Sequence, residues 1–124
     1  MLDLQDPLAN LRRQLRLLAH ESEDGEVEAD SGLTYGSGEA VRIRIRRRGR
    51  RYDLSDDGEA VARAGKPAGW RDLVEQLVAV ESFNVNRRGV LLVPAVEGRD
   101  IAALAMRLAQ LSRSVYLAVL ELRD

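Results

Sequence analysis

Apolar residues recur at helical spacing in three parts of this chain. The first stripe comprises Leu8, Leu11, Leu15 and Leu18. It follows Asp6 and Pro7, and because a carboxylate caps free N–H groups while proline fits the first helical position, we expect an amphipathic helix over about 7–20. The second stripe comprises Trp70, Leu73, Val74, Leu77 and Val80. The third predicts one long last helix and comprises Ile101, Leu104, Leu108, Leu111, Val115, Ala118 and Leu122.

Alternating apolar and charged residues predict a β-hairpin over 41–54, with a two-residue turn at Arg48 and Gly49. The pairs expected from that turn are Ile45–Tyr52 and Ile43–Leu54 on the buried face, and Arg44–Asp53 and Arg46–Arg51 on the outer face. A second hairpin is expected over 83–94, with its tip at Arg87 to Gly89 and its end at Pro94.

The segments between these elements are less regular. Asp56 lies three residues before Glu59, which predicts a capped short helix that ends near Gly65. The acidic segment 21–30 and the glycine-rich segment 31–39 predict mainly solvated chain, although Val27 and Ala29 fit a short edge strand.

These elements predict an α+β fold, in which helices cover one face of a small antiparallel sheet. We expect a single domain over 1–124, with an N-terminal helix and an acidic, glycine-rich segment in 1–38, and a hairpin-helix-hairpin-helix core in 39–122. The last stripe spans roughly 32 Å as a helix, whereas a six-residue strand spans about 20 Å. We therefore expect the excess to be covered by the N-terminal helix or by a second copy of the chain, as a homodimer. The VYLAVLEL segment also fits a buried strand.

Composition narrows the class of protein. The 124 residues are 45% apolar and 31% charged, and cysteine is absent, which excludes thiol catalysis, thiolate metal sites and disulfides. No apolar run approaches the roughly 20 residues that span a bilayer, so we expect a cytoplasmic protein without membrane contact. The net charge of −1 is segregated: residues 1–40 carry −6, residues 41–52 carry +7, and the remainder carries −2.

The core resembles a family of known sequences. Leu54 to Gly58 read Leu-Ser-Asp-Asp-Gly after an arginine-rich strand, and this segment is similar to the strand end of the bacterial and phage domain-of-unknown-function family 1828. The resemblance covers about 39–122. It implies an α+β domain found in mobile-element or defence-linked settings, and it implies no established chemistry.

The arginine cluster is the strongest candidate site. It comprises Arg42, Arg44, Arg46, Arg47, Arg48, Arg50 and Arg51. Guanidinium groups on a hairpin can bind phosphates through pairs of N–H hydrogen bonds, as in proteins that bind nucleic acid independently of sequence. The acids of segment 21–30 offer a competing interpretation, because they could fold back onto the arginines, and an acidic protein partner is a third. We therefore expect a non-catalytic binding or regulatory module that presents this hairpin to an acidic partner.

A metal-dependent enzyme is the alternative. Carboxylates at Asp53, Asp56, Asp57 and Glu59 are the residue type that Mg²⁺ or Ca²⁺ prefers, which would suit nuclease-like chemistry. The competing interpretation pairs Asp53 with Arg44 and uses Asp56 and Glu59 as helix caps. His20 is the only histidine, and the glycines at 36–38 complete no nucleotide-binding or nucleophile motif. The sequence therefore favours a protein without catalytic residues, bound metal or cofactor, and a purely structural domain remains open.

Overall fold

The computed structural model describes residues 26–36 and 38–123. The helix expected over 7–20, His20 and the acids before Glu26 lie outside these residues. The described elements, in chain order, are β1 (Glu26–Thr34), β2 (Ala40–Arg48), β3 (Arg51–Ser55), α1 (Glu59–Ala64), α2 (Trp70–Val80), β4 (Asn84–Val85), β5 (Leu91–Val96), a 3-10 turn (Gly98–Asp100) and α3 (Ile101–Glu121).

All five strands form one antiparallel sheet in the order β1-β2-β3-β5-β4. Alternate residues of β2, namely Val41, Ile43 and Ile45, are fully buried on the face that α3 covers. The arginines between them point to the other face. This arrangement confirms the predicted α+β fold with helices on one face of the sheet.

The long last helix is confirmed, and the segment 115–121 is helical rather than a strand. Its buried positions run from Ile101 to Val119, and both α1 and α2 contact it alongside the sheet. Within the predicted stripe, Leu104 and Ala118 are only partly buried, and Leu122, beyond the end of the helix, is 42% exposed. Within the described residues, α1, α2 and the sheet cover this helix. The N-terminal helix lies outside those residues, and cover by that helix or by a second copy of the chain stays a prediction.

Two shorter predictions about helices had different outcomes. The short helix ends at Ala64, with Gly65 in the left-handed conformation as its C-cap, as expected. Val80, assigned to the apolar stripe of α2, is 80% exposed. The buried residues of α2 are Val74 and Val78, and Val80 lies two positions further, about 200° around the helix axis from Val78, so it faces away from the core.

The segment before β2 is more ordered and more buried than expected. β1 is a nine-residue edge strand in which Val27 and Ala29 face the core, so the edge strand is confirmed but is longer than predicted. Ser31 and Tyr35, expected in solvated chain, are almost fully buried. The Ser31 hydroxyl donates to the carbonyl of Val41 at 2.6 Å, which satisfies it across the strand pair.

The second hairpin forms, but Pro94 does not end it. β5 continues to Val96, because the pairing of Tyr52 with Val96 and of Leu54 with Val93 leaves an extra residue in β5. A bulge of this kind tolerates proline, which has no N–H for the ladder. Within residues 26–36 and 38–123, none of the helices has the combination of length and apolar composition that a membrane span requires.

Candidate functional site

The turn of the arginine-rich hairpin comprises Gly49 and Arg50, one residue later than the sequence predicted. Arg48 pairs with Arg51, and Ile45 pairs with Leu54. Gly49 has a φ of 64°, so the observed register gives the left-handed conformation to glycine, whereas a turn at Arg48 would impose it on an arginine.

All four predicted cross-strand pairs of this hairpin are therefore wrong. The observed pairs are Arg44–Ser55, Ile45–Leu54, Arg46–Asp53, Arg47–Tyr52 and Arg48–Arg51. The displacement amounts to two residues along β3, so each side chain keeps the face that was predicted for it. The consequence is that Arg47 and Tyr52 share the core-side face, with the Arg47 guanidinium carbon 5.8 Å from the centre of the Tyr52 ring.

The outer face of β1 and β2 carries a ladder of opposite charges. Three acids of β1 lie directly across from three arginines of β2, in the pairs Glu26–Arg46, Glu28–Arg44 and Asp30–Arg42. Opposite charges at directly paired positions stabilise an antiparallel sheet. The acids that alternate in β1 are thus in register with the arginines that alternate in β2.

Arg44 is the centre of this ladder. Its guanidinium lies 2.8 Å from a Glu26 oxygen, 3.4 Å from Glu28 and 3.2 Å from Asp57, and its side chain is only 36% exposed. The hydrogen bond to Glu26 and the nearby charge of Asp57 raise the pKa of Arg44 above its ordinary value. Arg42 also pairs with Glu28, at 3.4 Å. The fold-back of acids from segment 21–30 onto the arginines is therefore observed for these two strand residues.

The hairpin tip has a different charge balance. We call Arg47, Arg48, Arg50 and Arg51 the tip arginines. Arg48 pairs with Asp53 at 3.1 Å and Arg51 pairs with Glu97 at 3.6 Å, and both arginine side chains are more than half exposed. Exposed pairs of this kind contribute little stability, about 0–1 kcal/mol each, so a competing anion can replace the carboxylate.

Arg47 and Arg50 complete the tip. Within residues 26–36 and 38–123, neither has a carboxylate within ion-pair distance. Both are exposed. Arg46, at the boundary between ladder and tip, is 71% exposed and lies 3.9 Å from Glu26. The seven candidate arginines therefore fall into a neutralised strand group and a cationic tip.

The bulge in β5 supports the base of this tip. Ala95 has a φ of 57°, which is unfavourable for a residue with a Cβ. Its N–H donates to a carboxylate oxygen of Asp53 at 3.0 Å, and its carbonyl accepts a hydrogen bond from Arg51 at 3.4 Å. Ala95 thus holds Asp53, the acid that pairs with Arg48, and Ala95 itself contacts Arg51.

The four acids proposed as metal ligands do not converge. Asp53 pairs with Arg48 rather than with Arg44, so that predicted pair is wrong, and Asp57 pairs with Arg44. Glu59 pairs with Arg63 at 3.0 Å. In the part of the chain that the structure describes, no group of three or more histidine, aspartate or glutamate residues could hold a metal ion.

Asp56 has a role that the sequence did not reveal. It is fully buried, and its carboxylate accepts hydrogen bonds from the N–H of Gly58 at 2.9 Å, the N–H of Leu91 at 3.0 Å and the hydroxyl of Ser112 at 2.7 Å. Burial raises the pKa of Asp56, and these hydrogen bonds oppose that effect. The carboxylate therefore joins the turn after β3, strand β5 and helix α3.

The network extends one residue further. The Tyr35 hydroxyl lies 2.9 Å from the Ser112 oxygen. Burial raises the pKa of Tyr35 to about 12, so the phenol keeps its proton at neutral pH. Because Ser112 gives its single proton to Asp56, Tyr35 donates to Ser112. Asp56 also contacts the start of α1: its carbonyl accepts the N–H of Glu59 at 3.2 Å, and a hydrogen bond from the backbone N–H of Ala60 opposes the rise in the pKa of its carboxyl group.

A cleft of about 600 Å³ lies beside Asp56. Besides Asp56, its charged lining residues are Glu28, Glu39, Asp57, Glu59, Arg42 and Arg63. Arg63 contacts both Glu39 and Glu59, Arg42 contacts Glu28, and Asp57 pairs with Arg44 outside the lining, so each of these four acids already has an arginine partner. The arrangement suits a structural charge network better than a catalytic one.

No family model, curated protein or solved structure matches this chain. The resemblance to domain-of-unknown-function family 1828 therefore stays a prediction. The Leu-Ser-Asp-Asp-Gly segment that suggests it has a structural explanation here. Leu54 is in the core, Asp56 accepts the buried hydrogen bonds, and Asp57 and Gly58 adopt positive φ in the turn to α1.

Proposed function

We propose that this domain is a non-catalytic binding module whose tip arginines contact the phosphate backbone of nucleic acid without reading its sequence. The observation that carries the proposal is the charge balance at one turn. Four arginines within five residues face two carboxylates, Asp53 and Glu97, through exposed contacts. Phosphates, which form forked hydrogen bonds with guanidinium groups, are the ligand that such a turn fits.

The shape of the element supports the same ligand. β1 pairs with β2 as far as Arg46, and β5 pairs with β3 as far as Tyr52, so only the tip residues extend beyond the neighbouring strands. The tip arginines lie at the ends of both strands and at the turn, so they can contact neighbouring phosphates of a nucleic-acid backbone. Arg42 and Arg44 lie further along β2 and are occupied by Glu26 and Glu28, so we assign them no contact with the ligand.

Two double variants with the same change in net charge test this proposal. Arg47→Gln/Arg50→Gln removes two unpaired charges of the tip, and Arg42→Gln/Arg44→Gln removes two paired charges of the ladder. Binding of a fluorescently labelled duplex is measured by anisotropy over a series of salt concentrations. Circular dichroism confirms that each variant is folded.

The salt dependence separates the two variants. Each phosphate contact contributes roughly −0.9 to the slope of log K against log salt, so loss of two contacts makes the slope of the tip variant shallower by roughly 1.8. The ladder variant keeps the wild-type slope. Equal slopes in the tip variant and the wild type would rule out the tip as the interface. Stronger competition by polyglutamate than by unlabelled duplex would instead identify an acidic protein as the partner class.

A further inference from the structure

A second group of cations lies at the other end of the sheet, around the only tryptophan of the chain. We call Lys66, Trp70, Arg71, Arg87 and Arg88 the Trp70 cluster. Lys66 lies in the loop before α2, Trp70 and Arg71 form the first turn of α2, and the two other arginines lie in the turn between β4 and β5. Three separate segments of the sequence thus contribute to one surface.

Direct contacts hold this surface together. The Arg71 guanidinium carbon lies 4.7 Å from the centre of the Trp70 ring, and the Lys66 ammonium lies 5.7 Å from it. Arg71 also donates a hydrogen bond to the carbonyl of Arg87. Gly89 has a φ of 87°, and a Cβ built there would lie 3.2 Å from the ring of Trp70. The β4–β5 turn is therefore packed against the tryptophan.

The cluster is cationic and carries no internal neutralisation. Among the residues that the structure describes, none of Lys66, Arg71, Arg87 and Arg88 has an ion pair with a carboxylate, and Lys66, Arg87 and Arg88 are exposed. Asp72 follows Arg71 in sequence and pairs with none of them. The arginines of the ladder, in contrast, each face an acid. Lys66 and Arg71 contact the same ring, so their like charges repel, and a bound anion relieves the repulsion.

We infer that the Trp70 cluster is a second surface for the phosphate backbone of nucleic acid. It is separate from the proposed interface at the tip arginines. Val96 at one end of β5 pairs with Tyr52 beside the tip, and Leu91 at the other end pairs with Val85 beside the second turn. The six residues of β5 span about 20 Å, so the domain presents phosphate-binding groups at both ends of one sheet. One domain can then contact two separate stretches of nucleic acid.

Trp70 provides the reporter for the test, because no other tryptophan contributes to the emission. The protein is titrated with unlabelled duplex while tryptophan emission is recorded, and in parallel with polyglutamate. The variant Arg87→Gln/Arg88→Gln removes two cations of the cluster. Its turn stays in place, because the Asn86 side chain accepts the N–H groups of Arg88 and Val90 at 2.9 and 3.0 Å. Arg47→Gln/Arg50→Gln is the charge-matched control.

The inference predicts a saturable change in Trp70 emission with duplex, which salt reverses. The change is lost in Arg87→Gln/Arg88→Gln and kept in Arg47→Gln/Arg50→Gln. If labelled duplex binds through the tip while Trp70 emission stays constant, this inference is wrong and the proposed function stands. If emission changes while the tip variant has the wild-type salt slope, the proposed function is wrong and this inference stands. An equal change with polyglutamate would overturn the assignment to phosphate.

Discussion

Replacing Asp56 with alanine is expected to destabilise the fold strongly. The variant leaves three buried donors without their acceptor, namely the N–H groups of Gly58 and Leu91 and the hydroxyl of Ser112. Each unsatisfied buried donor costs about 1–3 kcal/mol, and removal of the buried charge offsets part of the combined cost of the three donors. We therefore expect the free energy of unfolding to fall by about 3–5 kcal/mol. The free energy of unfolding of a domain of this size is about 5–15 kcal/mol, so the variant is marginally stable or unfolded.

The milder variant Asp56→Asn isolates the effect of charge. Because burial raises the pKa of Asp56, the native protein binds its proton more tightly than the unfolded chain. Below the unfolded pKa of about 3.9, the bound proton makes its full contribution to the free energy of unfolding. This contribution decreases as the pH rises to the higher pKa of the native state, and it is absent above that pKa. The asparagine variant lacks this dependence. The free energy of unfolding of the wild type, minus that of Asp56→Asn, therefore decreases with rising pH.

Guanidinium denaturation followed by circular dichroism measures these quantities across a pH series. Ser112→Ala is the control for the network, because it removes one hydroxyl that links Asp56 to Tyr35 and leaves both backbone donors satisfied. We expect a loss of about 1–2 kcal/mol for that variant. A wild-type stability for Asp56→Ala would refute the argument that this carboxylate holds the β3 turn, β5 and α3 together.

Three further predictions follow from the site and its support. Ala95→Gly removes the penalty of positive φ in the β5 bulge and raises stability by about 1 kcal/mol, measured as a higher denaturation midpoint; an unchanged midpoint would show that the bulge is not strained. Glu26→Gln/Glu28→Gln removes the carboxylates that pair with Arg42 and Arg46 and two of the three that pair with Arg44, so duplex binding becomes tighter and its salt slope steeper; unchanged binding would contradict neutralisation by these acids. Millimolar Mg²⁺ leaves the melting temperature unchanged, because the four candidate acids of the metal alternative do not converge, and a rise of several degrees would restore that alternative.

Periodicity was sufficient to predict the elements that position the site. The alternation of β2 placed Arg42, Arg44 and Arg46 on the outer face, and the three-four spacing located α2 and α3. The register of the hairpin needed a further fact, the backbone conformation of the turn. Two turns one residue apart give the same face pattern. They differ in the residue at the first turn position, where positive φ suits Gly49 and is unfavourable for Arg48.

The charge ladder corresponds to two segments of the sequence in which charged residues alternate with uncharged ones. Acids at positions 26, 28 and 30 alternate as the arginines at 42, 44 and 46 do, which fits two antiparallel neighbours. The acidic segment nevertheless has the composition of mainly solvated chain, because glycine and serine residues follow it. Pairing between β1 and β2 depends on the whole sheet, so composition of the segment alone did not reveal it.

Two other features depend on contacts between residues distant in sequence. Asp56 has the sequence context of a helix cap, and its burial follows from the packing of Ser112 on α3 against it. The Trp70 cluster unites the loop before α2 with the β4–β5 turn. Both positions were visible in the sequence, the first as a candidate metal ligand and the second as part of an Arg-Arg-Gly turn, but their neighbours were not.

The division of the arginines into a neutralised ladder and a cationic tip is tested most directly by side-chain NMR. The Nε–Hε resonances of individual arginines are followed while a short DNA duplex is added. We predict that the resonances of Arg47 and Arg50 shift and saturate, while those of Arg42 and Arg44 keep their positions because Glu26 and Glu28 already hold them. Shifts at Arg42 and Arg44 with none at the tip would contradict this division.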